Sequence, residues 1–289
     1  MRKFAPMTVM AAASLACSLG VGTAQAAISW SFSNGSSCNG GNGLCVGGKT
    51  VTSTDSGTGE PVTVAVTAWS TGSASGTHLA AADLYQYGSG LGVVNNVTES
   101  NTDFPEHAMD NEDGFDVMLF DFGGKSVTLD QLNISYMTND DDVSVFAYGG
   151  AGATANGPVA DMTNWQYANS VDDATAIATA ANAGWELVGN YDVSYGPDYV
   201  APVNLGDPQK SSSYWLIGAY NWDFGGVSPN DGGGYDYVKV SALAGEIYTT
   251  PGGGDPTVPE PSTLALLAFG LLAPAALRRR RLGAVVDAV

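Results

Sequence analysis

The strongest constraint on this chain is a two-residue rhythm of apolar side chains. In Val62-Thr63-Val64-Ala65-Val66-Thr67-Ala68-Trp69 the valines fall on one side and mostly polar residues on the other. Successive side chains of a strand point to opposite faces, so this alternation describes a half-buried strand. The same rhythm in Ile28-Ser29-Trp30-Ser31-Phe32 predicts another. Further strands are expected at 79–87, 127–137, 143–148, 185–191, 199–205, 214–220 and 236–244, separated by Gly, Pro and Asp punctuation. Residues 115–122 are apolar on both faces, as a central strand covered on both sides would be. With turns at Gly123-Gly124 and at 139–142, the span 115–148 reads as an antiparallel meander. Residues 50–61 read as a loop or exposed edge, and 88–113 as a long polar connection. One short helix is expected over 174–183, where Ser170 and Asp173 form a capping box and Gly184 supplies the C-terminal stop. The fold class that follows is mainly β, an antiparallel two-sheet β-sandwich of jelly-roll type over residues 27–248.

The two ends are different in kind. Arg2 and Lys3 precede an apolar stretch, and Ala24-Gln25-Ala26 places small residues where signal peptidase reads them, so residues 1–26 are a signal peptide. Residues 249–257, with Gly252-Gly253-Gly254, form a flexible linker. Then come Val258, Pro259, Glu260, Pro261 and Ser262, an apolar run over 264–277, and Arg278, Arg279, Arg280 and Arg281. The apolar run is shorter than the roughly 20 residues of a comfortable spanning helix, and a short transmembrane helix there needs help from its flanks or a thinned bilayer. Clustered arginines stay on the cytoplasmic side and act as the membrane stop, leaving 282–289 as a cytoplasmic tail.

The order of Pro-Glu-Pro, short apolar helix and arginine cluster resembles the bacterial PEP-CTERM sorting signal over 258–281. The resemblance implies recognition by an exosortase, a membrane protease, with transient residence in the inner membrane, removal of the tail, and delivery to the cell surface or exterior. The extra segment 282–289 departs from the pattern, since such tails usually stop at or just after the arginines. A second resemblance rests on His107-Ala108-Met109-Asp110-Asn111, Asp141-Asp142-Val143-Ser144-Val145, Gly184-Trp185-Glu186-Leu187-Val188-Gly189 and Ser213-Tyr214-Trp215-Leu216-Ile217-Gly218. Those segments look like one recurrent ectodomain family of exosortase-dependent surface proteins, which implies location and fold but no activity.

Charge sets limits on partners. The whole chain carries −19, and outside the two signals its only basic residues are Lys49, Lys125, Lys210 and Lys239. Such a field excludes nucleic acid as a partner, because it lacks the cations that release counterions from phosphate. It attracts divalent cations. Cys38 and Cys45 bracket six residues, and a close pair in an exported protein reads as a disulfide.

Catalytic candidates are few. There are two histidines, His78 and His107, with no nucleophile elbow, metalloprotease motif or phosphate loop, so the chain reads as no enzyme. An exposed loop histidine explains His107 as well as an acid–base pair with Glu106 does. For calcium, the candidates are Asp110, Asn111, Glu112, Asp113 and Asp116 before the central strand, with Asp140, Asp141 and Asp142 in a neighbouring turn. Hard cations take several such oxygens from loops, although solvated acidic loops on an acidic protein give the same pattern. Trp165, Trp222, Tyr235 and Tyr237 are candidates for a carbohydrate-stacking face, against the commoner role of such rings in strand packing. The functional expectation is an exported, non-catalytic surface or matrix protein associated with exopolysaccharide or biofilm. The alternative is a calcium-assisted carbohydrate-binding module.

Overall fold

The computed structural model describes residues 28–33, 38–72, 78–99, 105, 107–112, 114–139, 142–149, 157–164, 184–192, 201–205, 210–220 and 235–248. Within them the chain is mainly β. The strands are β1 (Ile28–Ser31), β2 (Lys49–Thr54), β3 (Pro61–Ser70), β4 (Ala80–Tyr87), β5 (Gly90–Val94), β6 (Met109–Asp110) and β7 (Asp116–Asp121). They continue with β8 (Val127–Asn139), β9 (Val143–Tyr148), β10 (Trp185–Tyr191), β11 (Ala201–Asn204), β12 (Ser211–Ser212), β13 (Tyr214–Ala219) and β14 (Asp236–Ile247). One short helix, α1 (Pro158–Asn164), was not foreseen; the helix expected over 174–183 lies outside the described residues, as do the signal peptide, the linker and the apolar run 264–277. Among the described residues no helix is long and apolar enough to cross a membrane.

Two separate sheets were expected, and one curled antiparallel sheet is found. Its path runs β10-β9-β13-β7-β3-β4-β5-β14-β8-β11, with β1 and β6 added on β14, β12 on β8 and β2 on β3. The strand that joins the two sections is β4. Its first residues, Ala80 to Ala82, pair with β3, whereas Asp83 to Tyr87 pair with β5. The sections meet face to face through aromatic rings: Trp30 lies edge-on to Phe122 at 5.0 Å between centroids, and Phe32 packs tilted on Phe120 at 5.8 Å. Large rings bury the most apolar surface per residue and dominate such a core.

Strand β7 is covered on both sides, as its sequence requires. Val117 and Leu119 join Phe115, Leu79, Phe146, Trp185, Leu216 and Met162 of α1 in one cluster. By the period of two, Asp116, Met118, Phe120 and Phe122 share the opposite face, where Phe120 and Phe122 meet the rings of Phe32 and Trp30.

The meander expected over 115–148 is overturned. Strand β13 lies between β7 and β9, pairing Leu216 with Leu119 on one side and with Phe146 on the other. Strand β8 belongs to the other section, beside β14 and β11. Trp215, Leu216 and Ile217 are all buried, so β13 is covered on both faces and suits a place between two strands. The polar connection expected over 88–113 is also corrected, since it contains β5, buried at every residue, and β6. Residues 49–54 form an edge strand with alternating exposure, paired in register along β3.

Cys38 and Cys45 are disulfide-bonded, with Cα atoms 4.5 Å apart. The ring is fastened to β4 by the Cys45 amide, which donates to the Leu84 carbonyl at 2.8 Å, and by the Leu44–Tyr85 bridge.

Candidate metal centre

The acidic end of β7 is built by three elements that converge on one spot. Asp116 opens β7 opposite Ser70 of β3. The residue before it is clipped in place, because the Phe115 amide donates to Thr71 Oγ1 at 2.7 Å and the Thr71 amide to the Phe115 carbonyl at 3.1 Å. Asp110 sits on β6, opposite Tyr237 of β14, and its Oδ1 accepts the Glu112 amide at 3.0 Å. Glu99 arrives on the turn after β5. Asn95 closes that turn with Oδ1, which accepts the amides of Val97 and Thr98 at 3.1 and 2.9 Å. This is the local side-chain bonding for which Asn is favoured at turns. Glu99 returns the support by accepting the Asn95 amide at 2.8 Å and its side-chain amide.

The result is a trio of carboxylates, Glu99, Asp110 and Asp116, whose oxygens lie within 4.8 Å of one another. Asp116 is fully buried and Asp110 is 1% exposed, while Glu99 is half-buried. No hydrogen bond of good geometry reaches either oxygen of Asp116, although the Ser70 hydroxyl and an Asp110 backbone group lie close enough to interact weakly. Burial, then the charges of Asp110 and Glu99, push the Asp116 carboxyl well above its ordinary value of 3.8; the nearby Ser70 hydroxyl and Asp110 backbone oppose this more weakly.

The other acidic residues expected as ligands do different work. Asn111 Nδ2 donates to Asp236 Oδ2 at 2.6 Å and to the Tyr220 carbonyl, and Asn111 Oδ1 accepts the Asp236 amide at 2.8 Å. Asp236 Oδ1 accepts the Asp142 amide at 2.8 Å, and the Tyr220 amide donates to the Asp142 carbonyl at 2.9 Å. These bonds tie the starts of β9 and β14 to the end of β13. Glu112 accepts the Tyr237 hydroxyl. Asp113, Asp140 and Asp141 lie outside the described residues. Of the eight residues expected as ligands, the structure therefore brings together Asp110 and Asp116, and it adds Glu99. The signal for Glu99 was its place just after a buried apolar strand, hidden while 88–113 read as a loop.

The carbohydrate face loses a member. Tyr237 is 4% exposed, so its ring offers no platform to a sugar; Tyr235 is 47% exposed. Trp165 and Trp222 lie outside the described residues. His107 packs edge-on against Tyr87 at 4.9 Å, with Tyr136 on another side at 6.1 Å. It belongs to an aromatic box whose occupant is Lys239, its Nζ 4.2 Å from the Tyr87 centroid and 4.0 Å from that of Tyr136. Lys239 is 2% exposed, and burial lowers its pKa to about 8, while the two ring faces act in the opposite sense by attracting the cation. β14 is buried on both faces over most of its length, and nothing in its local sequence marks Lys239 as an interior residue.

Comparison with known proteins adds one match. Residues 257–281 match the PEP-CTERM protein-sorting motif. No curated protein and no solved structure matches the chain, so the ectodomain resemblance has no support from a relative. The chain is thus a β-rich protein bearing a PEP-CTERM signal, which implies export, exosortase-dependent sorting at the membrane and a surface location.

Proposed function

We propose that the chain is a non-catalytic protein of the cell surface or extracellular matrix, exported by an N-terminal signal, held briefly at the inner membrane and released when an exosortase removes its tail. The observation that carries this reading is the ordered signal over 257–281. Its partners in processing are signal peptidase and exosortase, and its partner outside is exopolysaccharide. The acidic charge of the chain, −19 overall, supports a soluble life in that setting. Fractionating cells with and without the exosortase tests it: the tail is expected to be lost, and the protein to reach the exterior, only when the enzyme is present. An intact tail in both strains would sink the reading. Carbohydrate binding stands second, supported by exposed Tyr235 alone among the described rings of its set; a glycan array without signal removes it.

A further inference from the structure

We propose that Glu99, Asp110 and Asp116 bind one calcium ion, which pins the turn after β5 to the end of β6 and the start of β7. The proposal stands first on Asp116. A carboxylate at 0% exposure, with no well-formed hydrogen bond to either oxygen and only weak support from Ser70 and the Asp110 backbone, is costly to bury unless a cation or a proton compensates it. One of its oxygens lies within 4.8 Å of an oxygen from each of the other two carboxylates, so a compensating group there would serve all three.

Geometry favours calcium over a smaller ion. Three oxygens within 4.8 Å of one another leave a central point no more than about 2.8 Å from each, and small side-chain rotations bring that to the 2.3–2.6 Å of calcium–oxygen bonds. Magnesium would require a tighter, near-octahedral closure from strands already locked by pairing. Carboxylates also bind bidentately, so three of them supply up to the six oxygens that calcium accepts.

Among the described residues the lysines are engaged elsewhere, Lys49 by the Gln86 side chain at 2.8 Å. The ion pairs described join Lys125 to Glu60 and Lys210 to Glu186, and Lys239 is boxed by tyrosines. The rival is a proton shared among the carboxyls, with Asp116 neutral.

The test uses the full-length protein in mild detergent, which makes it independent of whether the tail is ever cleaved. Calcium chloride is titrated by calorimetry, and thermal melts are compared in calcium, magnesium and EGTA. One calcium per chain is expected, with a higher Tm in calcium than in EGTA and a smaller shift in magnesium. Asp116→Asn is expected to stay folded in EGTA and to lose the calcium shift, and Glu99→Gln to weaken affinity by about tenfold or more. Identical wild-type melts in calcium and EGTA would overturn the site in favour of the shared proton. Calcium binding that survives Asp116→Asn would overturn it as well. Should Asp116→Asn fail to fold, Glu99→Gln decides, and unchanged affinity in that variant refutes the proposal. Magnesium binding as tight as calcium would overturn the choice of ion.

Discussion

The two ends of β7 make an instructive pair. On one face of one strand, two residues apart at each step, stand Asp116, Met118, Phe120 and Phe122, and all four are buried. At the far end Phe120 and Phe122 pack on Phe32 and Trp30. At the near end Asp116 meets Glu99 and Asp110. Equal burial thus serves opposite chemistries: the aromatic end is stable on its own, because removing rings from water is favourable, while the acidic end is stable only with its charge compensated.

The largest effect expected is at the aromatic end. Trp30→Ala removes a ring that is 0% exposed and the bond from its Nε1 to the Val62 carbonyl at 2.9 Å. It should cost about 3–5 kcal/mol in denaturant melts, whether or not calcium is present. A loss that depended on calcium would show the two ends to be one cooperative site and break the comparison.

A control lies away from both ends. Replacing Cys38 and Cys45 together by serine opens a ring with a sequence separation of 7 and should cost about 2.5 kcal/mol by the loop-entropy model. The calcium response, read as the Tm shift between calcium and EGTA, should not change.

Smaller and opposite in sign is the pH dependence of the acidic end. In EGTA the raised Asp116 pKa means that the folded state holds its proton more firmly than the unfolded chain does. Its contribution to stability is therefore full below the unfolded value of 3.8 and lost as pH rises through the higher folded value. Calcium selects the ionised trio, so calcium-dependent stabilisation should grow over that same window. Melts of wild type and Asp116→Asn across pH, with and without calcium, check both signs.

The smallest expected effect concerns Lys239. Its depressed pKa, about 8 against an ordinary 10.5, makes its contribution full above 10.5 and lost as pH falls through about 8. Lys239→Met should change stability near neutral pH by less than about 1.5 kcal/mol, and the gain of wild type relative to the variant as pH rises above about 8 should be measurable by urea unfolding. No difference in slope would mean that the Tyr87 and Tyr136 faces hold the cation as well as water does.

Alternation made most of this fold legible. β3 and much of β8 announce themselves because a half-buried strand must alternate, and β7 and β13 because a strand covered on both faces reads as a continuous apolar run. Pairing was not legible: nothing local to 115–148 says that Leu216 will sit between Leu119 and Phe146. β5 escaped notice because Gly90-Leu91-Gly92 weakens the strand signature; yet the glycine at 92 is required, since a Cβ there would meet the His107 carbonyl oxygen at 2.2 Å. The sorting signal was readable because its information is linear. The carboxylate trio was half readable, because Asp110 and Asp116 lie close in sequence while Glu99 joins them only through folding.

The place of β14 has a consequence for timing. β14, the last of the described strands, is the partner of β1, β5 and β6 and the neighbour of β8. Ile28 to Ser31 find their register only against Ala242 to Gly245, so the first strand to emerge from a translocation pore waits for the last. A chain exported from its N-terminus carries an unclosed sheet until β14 has followed β1 across the membrane.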